Sequence, residues 1–288
     1  MLDWLNIPNY SPAHGKQMTP ATLVITILGS GTSTGIPVVG CDCVVCSSSD
    51  PRNQRTRCSA LIRYAGQNIL IDTATDLRQQ ALREDIRHID AVLYTHSHAD
   101  HMHGIDDLRG FNIRRQGPIP LYGSPRTLER VRDNFNYIFT DVENPGYVPR
   151  LSLHPVEQAF KLFGLEIIPI PLFHGGMQVF GYRIGPFAYL TDCNGIPEKS
   201  LPLLSGLELL VLDGLRFKPH NTHFNIPQAI EMAQRIGAQQ TLLTHLSHEV
   251  DHPRHDPQLP DGINFAYDGQ AFTLQLAKAD QPLRSHSP

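Results

Sequence analysis

The sequence predicts an α/β protein in which two β-layers are covered by helices. Three observations carry that reading. Short apolar runs recur along the chain, each closed by glycine, proline, histidine or aspartate. Helical patterns are interleaved with these runs rather than gathered at one end. Each half of the chain also runs through strands into a motif-bearing loop and then a helix, a coarse echo without any short-period repeat.

The elements follow in order. Residues 1–20 are polar and proline-bearing and are expected to form a flexible arm. TLVITILG (22–29) reads as a strand entering the glycine-rich GSGTSTG turn. SALIRYA (59–65) and NILIDT (68–73) read as a hairpin about Gly66. TDLRQQALRE predicts a short amphipathic helix with Thr75 or Asp76 near its cap, and IDAVLYTH (89–96) a buried strand. DDLRGFNIRR and SPRTLERVRDNF are helical patterns, the second with Ser124 at the N-cap and Pro125 at the first helical position. The stretch 137–156 has three prolines and no period, so it reads as a loop or flap. Strands follow at LEIIPIPL (165–172), VFGYRIG (179–185), FAYLTD (187–192) and LELLVLD (207–213). IPQAIEMAQRIG is a helix ending at Gly237, and QTLLTH (240–245) is the next strand. With no linker in the series, 21–277 is expected to be a single domain and 278–288 a flexible tail.

Composition narrows the function classes. Of 288 residues, 41% are hydrophobic and 18% charged, which suits a globular chain rather than a disordered one. A formal charge of −4 supplies no global basic field, so neither nucleic acid nor an anionic membrane is the expected partner. The N-terminus lacks a basic region followed by an apolar run, and no stretch nears the roughly 20 apolar residues of a spanning helix. Five cysteines, three of them crowded into GCDCVVC, do not make a disulfide scaffold. A cytoplasmic protein is the expectation.

Fifteen histidines stand out, because ten of them fall in four short groups: His96, His98, His101 and His103; His220 and His223; His245 and His248; His252 and His255. THSHADHMHG (95–104) is the strongest motif. His96 and His98, two apart at a strand end, point the same way and can share one metal, while Asp100 and His101 on the following turn can reach a second. Imidazole with carboxylate suits zinc, manganese or iron. Later histidines would be weak signals alone, but His174, Asp192 and His245 each close a predicted strand, where open α/β architectures place their sites. They supply the bridging carboxylate and further imidazoles of a dinuclear site. The proline-rich VDHPRHDP reads instead as an exposed loop, so His252 and His255 are not expected to bind metal. GSGTSTG lacks the Walker lysine and is followed by loop, which argues against a phosphate loop and for close backbone approach to the floor of the site. Cys58 and Cys193 read as small buried residues, Cys193 lying directly after Asp192. His103, Asp106, Asp107 and Arg109 read as capping and surface residues.

THSHADH followed by a strand-end His, Asp and His resembles the metal-binding pattern of the metallo-β-lactamase superfamily, over about 22–275. Within it, LGSGTSTGIP, GCDCVVC and DPRNQRTRCSALI are similar to the PhnP-type branch, whose members open cyclic phosphodiesters such as phosphoribosyl 1,2-cyclic phosphate. The resemblance implies a four-layer αββα sandwich. It implies a dinuclear site of two divalent ions, zinc or manganese, on His96, His98, Asp100, His101, His174, Asp192 and His245. It also implies a separate structural zinc on Cys41, Cys43, Cys46 and His248, the last found three residues after His245 in HLSH. By the same likeness Asp72 orients metal ligands from behind, and His223 rather than His220 acts on the substrate phosphate or leaving group. Asp100 and His223 are the expected catalytic residues.

The expected chemistry is hydrolysis of a small cyclic phosphodiester by a hydroxide shared between the two ions, with His223 as general acid to a poor sugar leaving group. Other branches use such a site on thioesters and lactones, and those remain the alternatives, as does a metal-bearing accessory protein without turnover. A tRNA-processing nuclease would carry a glycine-rich clamping arm, which is not evident between the strands. An oxygen-reducing di-iron relative would place Glu where His98 stands. A homodimer is the default assembly, without a supporting sequence feature.

Overall fold

The computed structural model describes residues 22–113, 115–140 and 148–276. The predicted arm at 1–20 and tail at 278–288 lie outside the described residues.

Two seven-stranded mixed sheets form the frame. In the first, β1 (Thr22–Gly29), β2 (Ser59–Tyr64) and β3 (Gln67–Ile71) form an antiparallel meander. The strands β4 (Ala91–Leu93), β5 (Ile119–Gly123) and β6 (Leu151–Pro155) extend it in parallel. In the second sheet, β7 (Phe160–Leu162), β8 (Leu165–His174), β9 (Met177–Ile184) and β10 (Phe187–Leu190) are antiparallel neighbours. Parallel β11 (Leu209–Asp213), β12 (Gln240–Thr244) and β13 (Ile263–Phe265) follow, and β14 (Ala271–Gln275) returns to pair with β1. Each sheet is therefore half antiparallel and half parallel, the structural form of the echo between the two halves.

Three apolar clusters bind the layers. Ile25, Ile62, Ile69 and Ile71 of the first sheet meet Ile167, Tyr182, Phe187 and Val211 of the second between the sheets. Outside the first sheet, α1 (Leu77–Arg83), α2 (Ala99–Met102), α3 (Leu108–Asn112), α4 (Pro125–Asn134) and α5 (Asn136–Phe139) are the helices; Leu77, Met102, Leu108, Val131 and Ile138 pack on Leu61, Leu70 and Val92. Outside the second, α6 (Ile226–Ile236) sets Ile226, Ala229 and Ala233 against Leu210, Leu212 and Leu243, and α7 (His252–His255) follows β12. The result is the expected αββα sandwich.

Local chemistry explains the helix ends. Ser124 accepts from the Thr127 N–H at 3.1 Å with Pro125 beginning α4. Asn225 and Gln228 form a reciprocal capping box on α6, which closes at Gly237 with φ 70°. At α1 the expected cap differs: the Asp76 carboxylate makes no cap bond and instead takes the Arg57 N–H at 2.9 Å and its guanidinium at 2.8 Å. The predicted flap at 137–156 is also corrected. Its ends hold α5 and β6, the latter on a sheet edge where half-exposed side chains weaken the apolar signal, and 141–147 lie outside the described residues. VDHPRHDP is not an exposed loop either. It holds α7 with His252 buried, its backbone N–H donating to Asn53 at 2.9 Å and its Nε2 lying 3.3 Å from the Phe265 carbonyl. Among the described residues no helix is long and apolar enough to cross a membrane.

The glycine-rich turn after β1 is packed rather than free. A Cβ at Gly29 would lie 2.0 Å from the Arg57 carbonyl oxygen, a rigid backbone atom already held by Gln80 Nε2 at 2.8 Å. Gly29→Ala is therefore expected to destabilise the fold by about 3 kcal/mol, toward the upper end of overpacking costs. Thermal unfolding of the purified variant checks this, and an unchanged midpoint would contradict the packing argument.

Candidate metal centre

The residues singled out by the sequence converge at one end of the two sheets. Asp72 follows β3, and Thr95 and His96 follow β4. His174 ends β8, Asp192 follows β10, Asp213 ends β11 and His245 follows β12. Three of these strand-end residues sit in the left-handed backbone region, Asp72 at φ 60°, Asp192 at φ 51° and His245 at φ 61°. None is glycine, so each holds a backbone conformation that L side chains rarely adopt.

Two groups of side chains share one carboxylate. His96, His98, His174 and Asp192 bring one ligand atom each within 4.8 Å of one another, and so do Asp100, His101, Asp192 and His245. Asp192 Oδ1 lies 3.1 Å from His101 Nε2, while its Oδ2 lies 3.8 Å from His96 Nε2 and 3.4 Å from His245 Nε2. Asp100 Oδ2 stands 3.2 Å from His101 Nε2 and 3.6 Å from His245 Nε2.

The partners behind the rings decide which nitrogen faces the cleft. His101 donates its Nδ1–H to Asp72 Oδ2 at 2.8 Å. Asp72 also accepts the Thr95 backbone N–H at 2.8 Å and its hydroxyl at 2.7 Å, so the Thr95 oxygen is left to accept from His96 Nδ1 at 3.0 Å. His174 donates Nδ1–H to the Thr222 carbonyl at 2.7 Å. Each ring therefore presents a bare Nε2 lone pair inward. The Nε2 atoms of His96, His101 and His245 are buried without a hydrogen-bond partner, as ligands awaiting a cation would be.

Electrostatics point the same way. Burial pushes His96 well below the ordinary imidazole range, and the neighbouring His101 charge adds to that. Burial also works to lower His101, yet the carboxylates of Asp192, Asp100 and Asp72 overcome it and hold its pKa well above the usual value. Carboxylates crowded on this cleft favour positive charge there, which divalent ions on these oxygen and nitrogen donors would supply.

His223 is brought to the same place but faces differently. Its ring stacks on His245 at 4.6 Å and meets His174 edge-on at 4.7 Å. It donates Nδ1–H to Asp213 Oδ2 at 2.9 Å. Asp213 also accepts the Cys193 backbone N–H at 3.0 Å, and its Oδ1 lies 3.9 Å from His245 Nδ1, neither of these last two atoms having another partner. Asp213 escapes the sequence reading. Its signal was available, since LELLVLD ends a strand on aspartate as NILIDT and FAYLTD nearly do, but no histidine lies beside it in sequence. Cys58 and Cys193 are fully buried, as expected.

The cysteine triplet finds its fourth partner across the fold. His248 Nδ1 lies 3.3 Å from Cys41 Sγ, and 3.6 Å from both Cys43 Sγ and Cys46 Sγ. Their ligand atoms form a third compact group suited to a cation. The backbone N–H of Cys46 leads a set of donors that lower the Cys43 thiol to about 7, with burial opposing. Behind this group, the buried Arg55 guanidinium donates to the carbonyls of Ser247 at 3.2 Å and Val250 at 2.8 Å. The glycine-rich turn completes the join: Leu246 N–H reaches the Ser30 carbonyl at 2.9 Å and Thr32 N–H reaches the Leu246 carbonyl at 3.1 Å. Its backbone does approach the floor of the site, beside His245.

Comparison with known proteins agrees with this geometry. The family described as "Beta-lactamase superfamily domain" matches residues 67–246. A crystal structure of a new diphosphatase from the PhnP family superposes with a TM-score of 0.84 at 43% identity, covering 89% of this chain and 98% of that one. Zinc-bound PqqB from Methylobacterium extorquens shares the fold, with a TM-score of 0.72 at 22% identity over 88% of this chain and all of that one. An octanoyltransferase of Porphyromonas gingivalis is 42% identical over 248 residues, 84% of this chain but 50% of that protein, so the chain spans about half its length. Ribonuclease Z of Clostridium kluyveri is 31% identical over 143 residues, 48% of this chain and 46% of that one. With more than half its length matched by the superfamily and a PhnP-family structure covered almost end to end, the chain belongs to the β-lactamase superfamily and, within it, to the PhnP family.

Proposed function

We propose that this protein is a metal-dependent hydrolase of small phosphodiesters, using two divalent ions, zinc or manganese, with a third ion, zinc, in a structural role. The observation that carries the reading is the Asp192 carboxylate shared by two histidine groups, with the His223–Asp213 pair set beside them. The first ion would be held by His96, His98, His174 and Asp192, the second by Asp100, His101, Asp192 and His245. The structural zinc would be held by Cys41, Cys43, Cys46 and His248.

When bound, the paired ions would supply Lewis acidity toward a phosphoryl oxygen and acidify water at neutral pH. The chain's own residues do the rest. Asp72 locks His101, and through Thr95 also His96, in the tautomer that leaves Nε2 free. Asp213 holds the Nδ1 proton of His223, so a second proton can sit only on Nε2, on the side away from Asp213. From there it can pass to the oxygen of a departing alcohol or phosphate, the general-acid role. Two divalent ions would leave positive charge at the site beyond what Asp100 and Asp192 neutralise, so a phosphate substrate and an acidic protein are compatible.

Two phosphorus substrates fit. A small cyclic phosphodiester such as a phosphoribosyl cyclic phosphate is the first. A diphosphate linkage is the second, favoured by the 43% identical diphosphatase relative. Acyl transfer draws less support, because the octanoyltransferase match accounts for half of that protein. The partner is then a small molecule acting alone with the enzyme, without nucleic acid or membrane.

Elemental analysis of untagged protein should find close to three metal ions per chain. His223→Ala should keep that content while turnover of 2′,3′-cyclic AMP and of bis(p-nitrophenyl) phosphate falls by about 10²-fold or more. Three metals with no phosphoester turned over by the wild type would sink the substrate class and leave the site standing. Asp213→Asn should keep the paired ions yet lose about 10²-fold in kcat, since the amide no longer enforces the His223 tautomer; an unchanged kcat would remove Asp213 from the mechanism. Cys46→Ser should lose one zinc per chain and lower the thermal midpoint, because a closed thiolate site contributes directly to folding. A variant with full metal content and stability would show that the cysteine group holds no ion.

A further inference from the structure

His220 stands one step further out from the metal groups than His223, and its geometry gives it a definite chemical character. The two rings lie 5.1 Å apart, and His223 in turn touches His174 and His245. Behind His220, the Thr222 backbone N–H points at Nδ1 from 3.3 Å and the Thr222 hydroxyl lies 3.2 Å from the same atom. A backbone N–H can only donate. Nδ1 must therefore accept, and the proton of the neutral ring must sit on Nε2. His223 carries the opposite tautomer, with Nδ1–H given to Asp213. Adjacent imidazoles of one loop thus leave the same nitrogen, Nε2, unengaged, as an N–H donor in neutral His220 and as a lone-pair acceptor in neutral His223.

Thr222 makes this arrangement dependent on the metal site. Its carbonyl accepts from His174 while its N–H and hydroxyl serve His220, so one residue fixes a ligand ring and a rim ring together. Several polar side chains nearby make contacts elsewhere. Arg216 and Lys218 lie 3.6 and 3.7 Å from the two Glu249 oxygens. Asn194 accepts from Gly175 N–H at 2.9 Å and donates to the Asn221 carbonyl at 2.9 Å. The His220 ring is exposed and its Nε2 makes no hydrogen bond among the described residues. Burial, then the charges of His223 and Arg216, lower its pKa, which favours the neutral donor form.

We propose that His220 is a substrate-binding residue whose Nε2–H donates to an acceptor oxygen on the leaving group, one group beyond the scissile phosphorus. The inference deepens the phosphodiesterase reading and rests on it. The acceptor is either a sugar hydroxyl or a second phosphoryl oxygen, since both present an oxygen lone pair at that remove. A leaving group with neither would bind without this contact. His223 supplies the proton to the departing oxygen, and His220 grips what departs.

The experiment compares the wild type, His220→Ala and His220→Gln, all metal-loaded and full-length, on three esters. These are 2′,3′-cyclic AMP, a dinucleoside diphosphate and bis(p-nitrophenyl) phosphate. His220→Ala should raise KM by roughly threefold to tenfold on the ester carrying the acceptor, with kcat changing less than about twofold. The rise should be clearly smaller on the nitrophenyl ester, and His220→Gln, which keeps an N–H donor, should recover part of it. A rise confined to the cyclic nucleotide assigns the sugar hydroxyl; one confined to the diphosphate assigns the phosphoryl oxygen. Equal effects on all three esters, or a loss in kcat instead of KM, would overturn the proposal. Nitrogen NMR of ring-labelled histidine gives an independent readout: the His220 proton should lie on Nε2, and an Nδ1–H ring would also overturn it. If the wild type cleaves none of the three, the phosphodiesterase reading itself fails and the substrate role falls with it, whereas a working wild type with an indifferent His220 sinks this inference alone.

Discussion

The structure depends on one buried carboxylate. Asp192 is buried with Oδ1 beside His101 and Oδ2 beside His96 and His245; Asp100 lies within a few ångströms, and Asp72 stands behind the His101 ring. Burying carboxylates together is strongly unfavourable unless positive charge joins them. The chain alone meets that demand poorly: its carboxylates raise the pKa of His101 and His245, but both imidazoles are themselves buried, which opposes the charge. The second layer of hydrogen bonds makes sense from this starting point. Asp72, Thr95 and the Thr222 carbonyl each bind the rear nitrogen of a ring and leave the front nitrogen bare, which is costly in a protein without a cation and favourable in one that holds two.

The same constraint reaches into the backbone. Asp72, Asp192 and His245 all lie one or two residues past a strand in a left-handed conformation that costs each on the order of 1 kcal/mol or more. Such strain persists only where the surroundings over-determine it. At His245 they do so from both sides. Leu246 is clamped by Ser30 and Thr32 of the glycine-rich turn, Ser247 and Val250 by the Arg55 guanidinium, and His248 by the three cysteine sulfurs. The cysteine group is thus a positional device. It ties the 36–55 loop to the segment that carries a candidate ligand of the paired site, so distortion at one is felt at the other.

Legibility in the sequence follows contiguity. His96, His98, Asp100 and His101 are readable because all four belong to one turn, and the cysteine triplet for the same reason. The large strands are readable because apolar residues dominate them: LEIIPIPL buries Leu165, Ile167, Pro169, Ile170 and Leu172, and LELLVLD is buried from Leu209 to Asp213. Edge and short strands are not: β6 has half-exposed residues, β7 and β13 have three residues each, and β14 is an edge strand with only Leu274 buried. His252 misleads for a related reason. Its neighbours are polar and proline-rich, but Asn53, distant in sequence, seats it in the core. Asp213 is the instructive case within the site. Nothing adjacent to it is histidine, and its meaning comes wholly from His223, ten residues on, folding back over it.

That fold-back explains how metal binding and substrate choice are kept apart. Every candidate ligand of the paired ions is anchored at a strand end or on the turn that follows one, where sheet pairing holds the backbone. His220 and His223 instead sit on the segment between β11 and α6, fastened at its two ends by Asp213 and by the Asn225 cap. Between those fixed points the side chains facing outward are free to differ without disturbing a ligand, apart from Thr222, whose carbonyl holds His174. Related hydrolases with one metal scaffold and different substrates are the expected product of such a design, because loops on a rigid frame carry the specificity. The frame here is charge buried at strand ends, and under the proposed function the loop that crosses it is placed to select what that charge acts on.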